Sequence, residues 1–270
     1  MPLGLAVLLG STLVFLDLPL VVIMLFSFNS SKSLSDFTGF SFRWYSQAAT
    51  NPEVISALLL SLAVAALATA IAVVIGTLLS FGFVYGTRRI TRPVEAVTLS
   101  TLVTPELATA VGLMTLFVTL QIPLSTITLV IGHATFTMVY VTVLVGNRLR
   151  TLDPGLEEAA ADLGAGRLRV FGTVVLPQLR SAIAGAAALA FVLSFGDFVT
   201  SVFLPGTEVA PLPVRIYGML RFGLTPEINA IGTTMVLLTV SIGVVGVWLQ
   251  RAKTPRSTTR TAHYQSKEIR

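Results

Sequence analysis

The sequence contains no cysteine, so disulfide bonds, thiolate metal ligands and a cysteine nucleophile are all excluded. It also has little charge, since only 11% of its 270 residues are Asp, Glu, Lys or Arg, against roughly 25% in an ordinary soluble domain. Hydrophobic residues make up 54% of the chain. A helix needs about 20 mostly apolar residues to cross a bilayer, so this composition predicts an integral membrane protein with room for about six crossings.

Six apolar segments are predicted to form transmembrane helices, which makes the expected fold class all-α. They cover residues 5–28, 54–85, 96–120, 124–145, 182–204 and 230–249. The first segment has neither a basic leader nor a small-residue cleavage site, so we expect it to stay in the protein as an anchor. The transmembrane domain is predicted to span residues 1–252 and to include a polar loop at 147–180. A tail at 253–270 is expected to be disordered.

The positive charges are distributed unevenly between the two sides of these six spans. Fourteen Lys and Arg residues fall on the side that holds both termini and the 147–180 loop. Four fall on the other side, namely Lys32, Arg43, Arg215 and Arg221. Because positively charged loops are retained in the cytoplasm, both termini and the 147–180 loop are predicted to be cytoplasmic. The net charge of +5 is thus explained by membrane topology, and no binding to nucleic acid is expected.

The 147–180 loop carries the pattern of a short amphipathic helix. Asp153 can cap free backbone amides, and Pro154 suits the first helical position. Apolar residues then recur at helical spacing at Leu156, Ala159, Ala160 and Leu163. We expect Gly164 to break this helix and Pro177 to end the loop before the fifth span. The pattern leaves two interpretations open, because the apolar face either packs on the protein's own bundle or docks onto a partner.

The residues of this loop also form a recognisable motif: Glu158, Ala159 and Ala160, then Gly164, then Val174, Leu176 and Pro177. This motif resembles the EAA loop of bacterial binding-protein-dependent ABC permeases. The resemblance implies a six-helix, type I (MetI-like) importer permease in a bacterial inner membrane, whose loop couples to an ATPase subunit. The residues implied at that coupling site are Glu158, Ala159, Ala160, Gly164, Ala165, Leu168 and Arg169. Arg169 has an alternative explanation, which is retention of positive charge in the cytoplasm.

The chain has no nucleotide-binding signature of its own. No G-x-x-x-x-G-K-[ST] sequence occurs, and the three lysines, Lys32, Lys253 and Lys267, lie outside any glycine-rich loop. The chain is therefore expected to be a transport subunit that is not an enzyme and holds no cofactor, with ATP and Mg bound by a partner. The resemblance implies two ABC ATPase subunits, a second permease that is homologous and non-identical, and an extracytoplasmic substrate-binding protein.

Other fragments extend the resemblance over nearly the whole chain. They are 27–29 (SFN), 105–106 (PE), 132–136 (GHATF), 147–149 (NRL), 212–217 (LPVRIY) and 225–230 (TPEINA). Together these fragments are similar to the permease subunits of spermidine and putrescine importers, which implies a polyamine as the solute. Related permeases for ferric iron, aminoethylphosphonate or amino-acid-like compounds share parts of the pattern, and these solutes remain alternatives.

Three acidic residues, Asp17, Glu106 and Asp197, lie within the predicted spans. Ionisable groups inside a membrane are costly and usually face the bundle interior or a water-filled path. No span contains an interior Lys or Arg to neutralise them, so the three acids are candidates for a pathway that attracts a cation. Three aromatic residues are candidates for cation–π contacts along it: Tyr140, Phe195 and Phe198. The alternative for each acid is protonation or a structural hydrogen bond between helices.

Two other classes of membrane protein fit the sequence less well. An intramembrane hydrolase is disfavoured because H-E-x-x-H and G-x-S-x-G are both absent. A secondary transporter commonly shows an internal repeat, and it would leave the EAA-like loop unexplained. His133 is expected to be an interhelical hydrogen-bonding residue rather than a metal ligand, because no second histidine is close in sequence and His263 lies in the tail.

Overall fold

The computed structural model describes residues 3–33, 36–204, 206 and 209–251, and every regular element in this part of the chain is helical. The helices are α1 Leu3–Phe26, α2 Arg43–Thr50, α3 Pro52–Tyr85, α4 Arg88–Ser100, α5 Glu106–Thr119, α6 Thr126–Leu149, α7 Pro154–Asp162, α8 Arg167–Val170, α9 Leu176–Gly196, α10 Val199–Phe203, α11 Leu212–Leu220 and α12 Pro226–Arg251. A π-helical turn, Phe171–Val175, joins α8 to α9. The predicted tail at 253–270 lies outside the described residues.

Five helices are long and apolar enough to cross a membrane. They are Gly4–Phe26, Pro52–Tyr85, Thr126–Leu149, Arg167–Gly196 and Pro226–Leu249. A sixth apolar helix, α5, is shorter, with 14 residues. The predicted all-α membrane architecture is therefore confirmed.

Two of the predicted spans are interrupted or displaced in the structure. The segment at 96–120 is not one helix, because α4 ends at Ser100 and α5 begins only after Pro105. Proline disfavours the helical conformation for the residue before it, which explains a break at this position. The segment at 182–204 begins earlier and ends earlier than predicted, since the helix runs continuously from Arg167 to Gly196. Pro177 does not end a helix there: it stands in the first turn of α9, directly after the π-helical turn.

The centre of the bundle is α3, which packs against α6 and α9. Its buried face carries small residues at intervals of three or four positions: Ala57, Ser61, Ala65, Ala68, Ala72, Gly76 and Ser80. Small residues let membrane helices approach closely. At Gly76 a β-carbon would lie only 2.8 Å from the Met138 carbonyl oxygen of α6, and the Ser80 hydroxyl donates a hydrogen bond to the Thr142 carbonyl oxygen at 2.8 Å. By contrast, α1 is exposed along its length and contacts mainly α12.

Candidate functional site

A cavity of about 380 Å³ lies where two helices are interrupted, at the break between α4 and α5 and at the break between α9 and α10. Helix α6 supplies the wall between these breaks. The cavity is lined by Thr101, Leu102, Thr104, Glu106, Thr109, Ala110, Leu113, Gly132, Phe136, Tyr140, Leu193, Gly196, Asp197, Phe198, Val199 and Thr200. Two of these residues are acidic and none is Lys or Arg, so the cavity is suited to a cation.

Asp197 stands at the end of α9, with a side chain that is only 1% exposed. Its Oδ1 accepts a hydrogen bond from the backbone N–H of Thr200 at 2.9 Å, which satisfies an amide in the first turn of α10. No described residue makes a hydrogen bond to Oδ2. Glu106, the first residue of α5, lies in the same cavity, where its carboxyl group is close enough to interact with that of Asp197.

His133 on α6 is buried behind Asp197 and linked to α9 and α10. Its Nδ1 lies 2.8 Å from the Ser194 hydroxyl, and its Nε2 lies 3.2 Å from the Ser201 hydroxyl. The same Nε2 is 3.5 Å from Asp197 Oδ2. The prediction that His133 is an interhelical hydrogen-bonding residue is confirmed by these contacts. No cluster of potential metal ligands occurs in the part of the chain that the structure describes.

The predicted aromatic residues divide between the cavity and the core. Tyr140 and Phe198 line the cavity. Phe195 does not, because it points into the core between α3 and α12, is 1% exposed, and stacks on Phe191 with ring centroids 6.0 Å apart. Sequence reasoning did not single out Phe136, which does line the cavity. The signal was available, since Phe136 precedes Tyr140 by four positions and therefore lies on the same helical face.

The three acids divide in the same way. Glu106 and Asp197 meet in the cavity, whereas Asp17 is exposed on α1 and is not among the lining residues. Asp17 was nominated because it lies in an apolar segment, but the side of α1 that faces the bundle could not be read from a helix that is apolar all round.

The loop between α6 and α9 has a defined conformation that explains its glycine. Gly164 has a φ of +82°, a left-handed conformation that favours glycine. Its N–H donates a hydrogen bond to the Ala161 carbonyl oxygen at 2.8 Å, and the N–H of Ala165 donates one to the Ala160 carbonyl oxygen at 3.1 Å. These two bonds form a Schellman motif that ends α7. Ala160 and Ala165 pack on the bundle core.

Most of the remaining loop residues are exposed. Glu158, Ala159 and Arg169 are exposed, and Leu168 is 88% exposed. Leu163, which sequence reasoning placed on the apolar face of the helix but not at the coupling site, is 90% exposed. The two half-buried alanines thus pack on the bundle, as one interpretation predicts, whereas the two leucines at the turn are exposed.

The comparison with known families identifies the chain. Residues 72–259 match the model of the binding-protein-dependent transport system inner membrane component family. The chain belongs to this family. It is therefore a permease, a transport component of the inner membrane rather than an enzyme, and the hydrolase and secondary-transporter alternatives do not apply. Members of the family work with ATPase and substrate-binding partners.

Curated relatives of this permease align over most of their length. The putrescine transport system permease protein PotI of Escherichia coli (strain K12) is 36% identical over 262 residues, covering 94% of this chain and 92% of that protein. The spermidine/putrescine transport system permease protein PotC of the same strain is 32% identical over 245 residues, covering 90% of this chain and 92% of that protein.

Solved structures show that the permease has the fold of ABC importers. A bacterial ABC transporter involved in the import of the acidic polysaccharide alginate matches with a TM-score of 0.72 and 15% identity, covering 94% of this chain and 96% of that one. The MetNI methionine ABC transporter matches with a TM-score of 0.64 and 19% identity, covering 75% of this chain and 97% of that one. The predicted type I (MetI-like) importer fold is confirmed.

Proposed function

We propose that this permease moves a polyamine of the putrescine or spermidine type through the cavity at Glu106 and Asp197. The observation that carries this proposal is the pairing of two carboxyl groups in a cavity without any basic lining residue. A polyamine is a flexible chain with an ammonium group at each end, so two acids and aromatic faces such as those of Tyr140 and Phe198 match its chemistry. The names of the relatives support the same class of solute.

The loop at 147–180, called the coupling loop below, is proposed to dock onto an ABC ATPase through its exposed turn at Leu163 and Leu168. Glu158, Ala159 and Arg169 are proposed to lie beside this contact. Two ATPase subunits would bind ATP and Mg, so this chain itself requires no cofactor. Because one chain supplies one coupling loop, we further propose a second six-helix permease, homologous and non-identical, and an extracytoplasmic binding protein that delivers the solute. Both termini and the coupling loop are proposed to face the cytoplasm.

The experiment that tests the substrate is uptake and ATPase stimulation by the reconstituted complex, with its co-expressed subunits and binding protein. Putrescine and spermidine are compared with ferric ion, aminoethylphosphonate and an amino acid. We expect stimulation by the polyamines alone, and a loss of uptake of about tenfold in Asp197→Asn and in Glu106→Gln, because each removes one negative charge from the cavity.

Asp17→Asn is the matched control, since it removes an intramembrane acid that lies outside the cavity, and it should transport at the normal rate. Stimulation by ferric ion or by an anionic solute, with no response to polyamines, would overturn the proposed substrate. Normal polyamine uptake by both cavity variants would overturn the proposed site.

A further inference from the structure

The hydrogen bonds around His133 form an ordered chain that ends at the main chain of Asp197. The imidazole is 2% exposed, so its ring nitrogens depend on protein partners. The Ser201 hydroxyl donates its single hydrogen to the Asp197 carbonyl oxygen at 2.9 Å. Ser201 Oγ can therefore act only as an acceptor toward His133 Nε2, 3.2 Å away.

This pattern assigns the tautomer of the histidine. Nε2 must carry the hydrogen that is given to Ser201, and Nδ1 then accepts a hydrogen bond from the Ser194 hydroxyl at 2.8 Å. The ring is fixed on both sides in this uncharged form. Asp197 Oδ2 lies 3.5 Å from the same nitrogen and accepts no hydrogen bond from it.

The carboxylate of Asp197 is fixed at one oxygen only. Oδ1 accepts the Thr200 amide hydrogen, whereas Oδ2 is buried and accepts no hydrogen bond from a described residue. The main chain of Asp197 is held through Ser201, and the buried imidazole of His133 fixes Ser201 in turn.

We propose that His133 is a positioning residue for Asp197: its uncharged imidazole holds Ser201, and through Ser201 the main chain of Asp197, so that the carboxylate stays at the wall of the cavity without being neutralised. This inference rests on the proposed function, in which Asp197 binds the cationic solute. A Lys or Arg in the same place would also orient the carboxylate, but its positive charge would cancel the attraction for the solute. A neutral donor performs the first task and leaves the charge available.

The test uses variants that separate a lost donor from lost packing. His133→Leu supplies an apolar side chain of similar size and removes the donor, while His133→Gln retains an amide N–H to donate to Ser201. Thr137→Val is the control, because Thr137 is buried one turn further along α6 and donates only to main-chain carbonyl oxygens of its own helix. Ser194→Ala, a smaller change, releases the ring at Nδ1 and should have a weaker effect in the same direction.

Uptake by the whole complex is measured against the concentration of loaded binding protein. We expect His133→Leu to lower the maximal rate about tenfold, because it leaves buried Ser201 without its hydrogen-bond donor, and to leave the half-saturating concentration of binding protein unchanged. His133→Gln should recover most of the rate, and Thr137→Val should be normal. In an Asp197→Asn background His133→Leu should have little further effect, since the two residues act together.

Other outcomes distinguish the inference from the function on which it rests. Normal transport by Asp197→Asn would overturn the part of the proposed function that assigns solute binding to Asp197. Impaired transport by Asp197→Asn with normal transport by His133→Leu would overturn only the positioning role. Equal losses in His133→Leu, His133→Gln and Thr137→Val would show that packing alone is affected and would also overturn it. If His133→Leu does not accumulate in the membrane, full activity of Ser194→Ala together with an inactive His133→Gln would overturn the role.

Discussion

Asn29 organises the loop that follows α1 through both ends of its amide. Its Nδ2 donates to the carbonyl oxygens of Ser33 at 2.7 Å and Asp36 at 2.8 Å, and its Oδ1 accepts from the N–H of Thr38 at 2.9 Å. Its own carbonyl oxygen accepts the indole N–H of Trp44 at 2.6 Å. Asn29 is fully buried. Only a side chain with both donors and acceptors in this geometry can serve all three main-chain partners.

Replacing this side chain with an isosteric acid tests that account. In Asn29→Asp the acceptor remains, but the donors to Ser33 and Asp36 are lost and a buried charge is introduced. We expect the variant to be destabilised by about 2 kcal/mol and trypsin to cleave faster after Lys32 in the detergent-solubilised complex. Ser46→Ala, an exposed change on α2, is the control. Cleavage at the rate of the native protein would contradict the role given to Asn29.

At the scale of the elements, the coupling loop and the cavity are connected by one helix. Arg167–Gly196 has 30 residues, which corresponds to a length of about 45 Å, and it begins in the loop and ends next to Asp197. The loop is also attached to the end of α3, because the Tyr85 hydroxyl donates to Glu157 at 2.6 Å and the ring of Phe81 meets that of Phe171 at 4.8 Å. Because these contacts attach the loop to both helices, we expect a displacement of the loop to move both of them.

The Schellman turn at Gly164 offers a matched test of this coupling. Gly164→Ala places a β-carbon on a residue with a φ of +82°, which costs about 1–2 kcal/mol and favours opening of the turn. Gly166→Ala is the control, since Gly166 has a φ of −66° and free space around its β-position. We expect uptake per ATP hydrolysed to fall severalfold in Gly164→Ala only. Equal behaviour of the two variants would show that the left-handed turn is not needed for coupling.

Much of this arrangement was predictable from sequence, and the failures have physical causes. The all-helical membrane fold, the short loop helix and the candidacy of Glu106 and Asp197 followed from hydropathy, capping residues and the cost of intramembrane charge, whereas the meeting of these two acids in one cavity did not. The continuation of a helix through Pro177 did not, because it depends on a π-helical turn that has no strong sequence signal. The rotation of an all-apolar helix such as α1 was also not predictable, so Asp17 could not be placed.

At the scale of the whole molecule, the six-span topology expected from the sequence divides the positive charges unevenly between two sides. On that topology, fourteen of the eighteen Lys and Arg residues fall on the side of the 147–180 loop and the termini. On the opposite side, three of the four remaining ones are paired or stacked within the protein. Arg215 forms an ion pair with Glu53, and the guanidinium groups of Arg43 and Arg221 lie 4.5 Å and 5.0 Å from the ring centres of Trp44 and Tyr217. The excess positive charge on the first side favours its retention in the cytoplasm.

The absence of cysteine allows this orientation to be measured directly with single introduced thiols. Ser46→Cys lies on α2, in the segment between the first two spans, and Thr87→Cys lies between α3 and α4; both positions are exposed. In spheroplasts we expect a membrane-impermeant maleimide to label Ser46→Cys, and to label Thr87→Cys only after the membrane is permeabilised. Labelling after denaturation gives the total thiol in each variant. The reverse pattern would place the coupling loop outside the cell, where it could not reach an ATPase, and would contradict the orientation and the coupling role together.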